Sequence, residues 1–172
     1  GRCHEATSQA PYAPIVEALR TGMPAEALAS LPVDRVWLRE IARLLPELGV
    51  HVTDGRNAPL DGLRDRDRLF EAVAAVVDAA AEALPVLLVV EDLHWADETS
   101  LALLATLARR ASERTCLIVG TVRDAEVPPD VRPLVRSLYR SGQSLPLDAL
   151  SADETARLVQ ALSGADAPAA HF

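Results

Sequence analysis

The sequence predicts an α/β fold in which a parallel sheet carries helices on both faces, an expectation that rests on three features. Two short apolar runs, residues 86–90 and 116–122, are rich in β-branched residues and continuous rather than alternating. Runs of that kind, bounded by proline or polar residues, mark strands buried on both sides. Stretches with helical spacing of apolar residues stand before, between and after them, and such alternation belongs to layered parallel sheets.

Taken in order, residues 1–4 read as the end of a strand, followed by a polar loop and a short helix with Ile15, Val16 and Leu19 that Gly22 stops. A second helical stretch from Pro32 sets Val36, Leu38, Ile41, Leu44 and Leu45 at core-facing spacing and ends near residues 46–49. Gly, Asn and Pro between His51 and Asp61 punctuate a surface loop. A long helix from Arg64 then places Leu69, Val73, Val76, Val77, Ala80 and Leu84 on one face and ends at Pro85. After the 86–90 strand, Asp97 is placed to cap a helix over residues 98–111. The 116–122 strand, a Pro128-Pro129 turn, a helix through Leu134, Leu138 and Tyr139, and a short strand at residues 144–147 come next. Ser151 and Glu154 form a capping box for a last helix over residues 152–162.

Composition narrows the function classes. The chain has 172 residues, 49% of them apolar and 24% charged, which suits one domain with its own core. No apolar run approaches bilayer length and no signal-peptide order opens the chain, so a cytoplasmic location without membrane contact is expected. The formal charge of -8 repels phosphate backbones, so direct nucleic-acid contact is not expected. Cys3 and Cys116, the two cysteines, read as small buried hydrophobes, and His4, His51 and His171 are dispersed without metal-ligand spacing. The alternating Arg and Asp of residues 64–68 read as a solvated helix face. There is no lysine, so the lysine of a G-x-x-x-x-G-K-[ST] phosphate-binding loop is not present.

The chemically informative stretch is residues 85–97, where Glu91 and Asp92 follow a buried strand at its carboxyl end, the edge at which open α/β sheets bind ligands. One such acid can hold magnesium while its neighbour orients or deprotonates a water that attacks a terminal phosphate. Spacing alone equally allows two ordinary polar residues beside a helix cap. His94 and Trp95 read as braces of the following turn, Trp95 by packing and His94 by hydrogen bonding to a neighbouring backbone group or carboxylate.

These residues resemble the Walker B segment of the ATPase domains of large ATP-binding LuxR-type regulators and related multidomain STAND signalling proteins. The likeness extends to residues 1–5 with Pro11, Tyr12 and Pro14, similar to that family's second strand and helix, to residues 119–124, similar to its sensor segment, and to residues 147–158, similar to its fifth strand and helix. The resemblance implies a three-layer, additional-strand P-loop NTPase fold with strand order 5-1-4-3-2, in which ATP and magnesium switch a signalling protein between states. It implies that Glu91 takes the magnesium side and Asp92 the water-activating position, with an exchange of the two roles left open. Asp92 is one methylene shorter than the glutamate usual in many P-loop ATPases, which implies slow hydrolysis. On spacing alone Arg123 reads as a surface arginine paired with Asp124 or Glu126; the resemblance implies a sensor of the terminal phosphate instead.

The family's first strand and phosphate-binding loop precede its second strand. Residues 1–172 are therefore expected to be a partial ATPase domain, from the second strand through the fifth strand and its helix, and inactive by themselves. In the implied order the first strand would lie between residues 116–122 and 144–147, which leaves an edge open to self-association. ATP, ADP and an effector domain of the same chain are the expected partners. Two other classes stay open: a nucleotide-free α/β protein-interaction module, and an unrelated enzyme using the paired acids as a metal site.

Overall fold

The computed structural model describes residues 1–5, 11–50 and 63–163. The chain divides into two compact units, Gly1–Gly142 and Gln143–Phe172. The loop expected between His51 and Asp61 lies outside the described residues.

In the first unit, α1 (Ala13–Gly22) and α2 (Ala25–Ser30) precede α3 (Arg35–Ile41). The Asp34 side chain caps α3 by accepting from the Val36 amide at 3.0 Å, so this helix starts at Arg35 rather than at Pro32. That start buries Leu38 and Ile41 but turns Val36 outward, at 43% exposure, contrary to the expected face. Helix α4 (Leu63–Ala83) carries Leu69, Val73 and Val76 into the core, fully buried. Leu84, expected on the same face, falls just after the helix and is 73% exposed. The charged run at the start of α4 is more than a solvated face: Arg68 reaches Glu40 of α3 at 2.7 Å, and Arg66 lies over the Phe70 ring.

Strands β1 (Val86–Val90) and β2 (Cys116–Gly120) pair in parallel, with Val86 opposite Cys116 and Val90 opposite Gly120. Helix α5 (Glu98–Ala111) makes the crossover, and its start is fixed as the sequence predicts: the Asp97 carboxylate accepts from the Ser100 amide at 2.9 Å. Helix α4 packs on α3, α5 and β1, while α5 packs on β2, α1 and α6 (Arg132–Ser141). Residues 1–3 lie along the other side of β1, forming a parallel bridge from Arg2 to Glu91. The sheet edge therefore reads residues 1–3, β1, β2 from one side to the other. Gly1 is required there, since a Cβ would sit 1.8 Å from the Pro14 carbonyl oxygen.

One face of β1 and β2 meets the core, where Val90 is fully buried and Leu88 and Ile118 are packed. On the other face Leu87, Val89, Leu117 and Val119 remain 63%, 37%, 61% and 39% exposed. The expectation of strands covered on both sides therefore holds for one side among the described residues. The apolar run records what each strand can bury, whereas actual burial requires a second layer.

In the second unit, α7 (Ala152–Ser163) starts at the predicted capping box: the Ser151 amide donates to Glu154 Oε2 at 2.8 Å and the Glu154 amide to Ser151 Oγ at 3.3 Å. The Ser151 amide first, and then its hydroxyl, both donating to the Glu154 carboxylate, hold that carboxyl below its ordinary range. The strand expected at residues 144–147 is not formed. A strand exists only through its ladder, and Pro146 has no amide to contribute to one.

Candidate functional site

Beyond Val90 the chain turns sharply. Glu91 continues the line of β1, its amide donating to the Gly1 carbonyl and its carbonyl accepting from the Cys3 amide, each at 2.9 Å. Asp92 then adopts a left-handed conformation, φ 60° and ψ 46°, and begins the 3₁₀ turn Leu93–Trp95. Such values cost most residues a clash between Cβ and carbonyl oxygen, and Asp and Asn enter them more readily than glutamate does. The shorter acid at position 92 thus suits the backbone that the turn demands. Strain held at the end of a strand is frequent at functional sites.

The turn after β1 is fastened to the segment after β2. The Asp92 amide donates to Thr121 Oγ1 at 3.0 Å and the Leu93 amide to the Thr121 carbonyl at 2.8 Å. The Thr121 amide still donates to the Val90 carbonyl at 3.1 Å, but its carbonyl serves the turn at Leu93, and β2 ends at Gly120 rather than at Val122. Gly120 also makes room for Leu93, because a Cβ there would lie 2.5 Å from Leu93 Cδ1. A second fastening runs through His94, which is buried at 2% exposure beneath an edge-on contact with Trp95. His94 Nδ1 accepts from the Arg123 amide at 3.4 Å, and Nε2 faces Glu126 Oε2 at 3.3 Å.

Glu91, Asp92 and Arg123 thus all follow the carboxyl ends of the two parallel strands. The side chain of Arg123 is 68% exposed and pairs with Glu126 at 3.1 Å, the partner that spacing alone suggested. Glu126 therefore serves both His94 and Arg123. Behind it, Tyr139 of α6 donates to Asp124 at 2.6 Å; burial first, then this carboxylate, pushes the phenol up to about 12.

Sequence reasoning missed Arg2. Its Nε and Nη2 lie 2.7 and 2.5 Å from Glu91 Oε2, and Nε lies 3.7 Å from Asp92 Oδ2. The signal was present in the expected strand at residues 1–4, because a strand running parallel beside β1 brings its own residues to the same edge. Cys3, next to Arg2, is buried, and burial followed by the Asp97 and Asp92 charges pushes its thiol up to about 12. That thiol is protonated and unreactive at neutral pH.

Among the described residues no group of three or more His, Cys, Asp or Glu side chains gathers as a metal cage. Two adjacent carboxylates nonetheless suit magnesium, a hard cation that keeps several waters and takes the rest of its oxygens from one or two acids and substrate phosphates. A guanidinium already resting on Glu91 marks the same spot as one that accepts a cation.

A family model described as the AAA ATPase domain matches residues 1–119. The chain belongs to the AAA ATPase domain family. It is accordingly a P-loop ATPase-like, nucleotide-binding module, of a family that generally uses ATP and magnesium. The matched residues include Arg2, Glu91, Asp92 and His94, while Arg123 and Glu126 lie beyond them. No curated protein and no solved structure matches the chain. No helix among the described residues is long and apolar enough to cross a membrane.

Proposed function

We propose that this AAA ATPase domain is the nucleotide switch of a multidomain signalling or transcriptional regulator of the STAND, LuxR-type class. In this reading Glu91 and Asp92 are its Walker B acids and Arg123 its sensor arginine. The observation that carries the reading is the convergence of all three at the carboxyl edge, on two loops bonded to each other through Thr121 and His94. Glu91, continuous with β1, holds the magnesium side. Asp92, held in its left-handed turn, presents a carboxylate that accepts a proton from water or orients it. Magnesium, when bound, neutralises charge on the outer phosphates. Arg123 is exposed, and its pair with Glu126 is of the weak surface kind, so its guanidinium is able to exchange that carboxylate for a terminal phosphate. Because the two loops are clipped together, a change at Arg123 is transmitted to the Asp92 turn. The lysine that grips phosphate in a P-loop is not supplied by these 172 residues. An effector domain, further copies of the chain and a cytoplasmic setting complete the proposal.

In the ATP-hydrolysing protein, Asp92→Asn lowers turnover about 100-fold while nucleotide affinity stays within about threefold, since the amide keeps the turn but accepts no proton. Equal losses in turnover and affinity would assign Asp92 to holding the metal or the fold and remove it as the base.

A further inference from the structure

We infer that Arg2 is an internal counter-cation of the Glu91 and Asp92 pair, a competitor that a divalent metal displaces when it takes Glu91 Oε2 as a ligand. The inference rests on the proposed metal role of those acids and adds a competitor to it.

The backbone around Arg2 is fixed on three sides. The Gly1 carbonyl and the Cys3 amide bond the two backbone groups of Glu91, and the Arg2 amide donates to Glu17 Oε2 at 2.9 Å. Only the guanidinium is free to move, and the parallel bridge keeps it opposite Glu91. Two of its nitrogens converge on one oxygen, Glu91 Oε2, with Asp92 Oδ2 slightly farther. Magnesium binds oxygen at about 2.0–2.1 Å and carries two charges, so it cannot share that oxygen with two N–H donors. A metal taking Glu91 Oε2 as a ligand and the Arg2 pair therefore compete for that oxygen. The side chains are 51%, 41% and 37% exposed for Arg2, Glu91 and Asp92, so water screens the pair and lets it exchange.

Such a competitor weakens metal binding at rest. It also offsets one of the two negative charges of the paired acids when no metal is present, and ties them to the segment that carries residues 1–3. Release of Arg2 is then a readable consequence of loading the site.

The test is a titration of the 172-residue chain with manganese(II), followed by the electron paramagnetic resonance of the free ion at low ionic strength. Arg2→Gln should tighten manganese binding about fivefold, and Arg2→Lys, which keeps the charge but loses the fork, should fall between Gln and wild type. Added salt should shrink the difference. Glu91→Gln in the Arg2→Gln background should remove the gain. An Arg2→Gln affinity equal to or weaker than wild type, with Glu91→Gln still weakening it, would overturn the competitor role and leave the metal-binding acids standing. Manganese binding indifferent to Glu91→Gln and Asp92→Asn would instead remove the acid site, and the inference with it.

Discussion

The two faces of the β1 and β2 pair are made of the same kinds of residue and meet different fates. Val90 is fully buried against the helices, while Val89, the preceding residue of the same strand, is 37% exposed. Leu88 and Ile118 are packed, while their neighbours Leu87 and Leu117 are 63% and 61% exposed. An apolar side chain creates a demand for cover, but cover comes from whatever layer the rest of the chain brings. Here α1 and α4 pack against β1 and α5 against β2.

The largest effect should come from placing a charge on each face. Val90→Asp buries an unpaired carboxylate and should cost roughly 4 kcal/mol or more, enough to abolish a cooperative melt. Val89→Asp should change stability by about 0.5 kcal/mol or less. Similar losses at both positions, measured by urea unfolding, would mean that the second face is covered in solution.

His94 tests where the covered side meets the carboxyl edge. His94→Ala empties a buried position and orphans the Arg123 amide, so it should cost about 2 kcal/mol. Hydrogen exchange should then rise at the Arg123 amide while staying unchanged within β1. Uniform exchange would show that the clip between the two turns is not local.

A smaller loss is expected for Gly120→Ala, about 1 kcal/mol, because the new methyl meets Leu93 Cδ1. Leu93→Ala in the same chain should cancel the clash though not the lost packing, and a double-mutant cycle resolves the two.

The smallest effect concerns Tyr139. Its folded-state phenol is raised to about 12, above the ordinary 10.0, so the associated stability is fully present below about pH 10 and disappears as pH rises through about 12. Ultraviolet titration should find the high value in the native chain and a lower one in Asp124→Asn.

Where one residue type admits one local solution, the sequence is a sufficient guide. Asp97 and Ser151 with Glu154 set their helices by short-range bonds, and α5 and α7 begin where those residues require. The carboxyl-edge placement of Glu91, Asp92 and Arg123 was likewise legible, since parallel strands share an edge. Long-range facts were not. Residues 144–147 have a strand's composition and no ladder, and nothing in their own order reveals whether a neighbour will be available. Arg2 escaped for a related reason: its partners are distant in sequence, and an arginine near the chain's start carries no local pattern. Nor does an apolar run of five state which of its faces will be covered, as Leu87 and Val89 demonstrate.

The register of β1 with β2 also restricts how the chain can vary in length. The turn at residues 112–115 lies at the amino end of β2, where the backbone is exposed and unburdened by the site. One residue added within that turn is absorbed as a longer loop at little entropic cost. One residue added between Val119 and Thr121 would shift the following segment by about 3.3 Å and reverse its facing. Thr121 would then miss the Asp92 and Leu93 amides, and Arg123 the His94 ring. Two connections that look equally plain in sequence should therefore differ sharply in tolerance: the one before β2 open to insertion, the one after it closed.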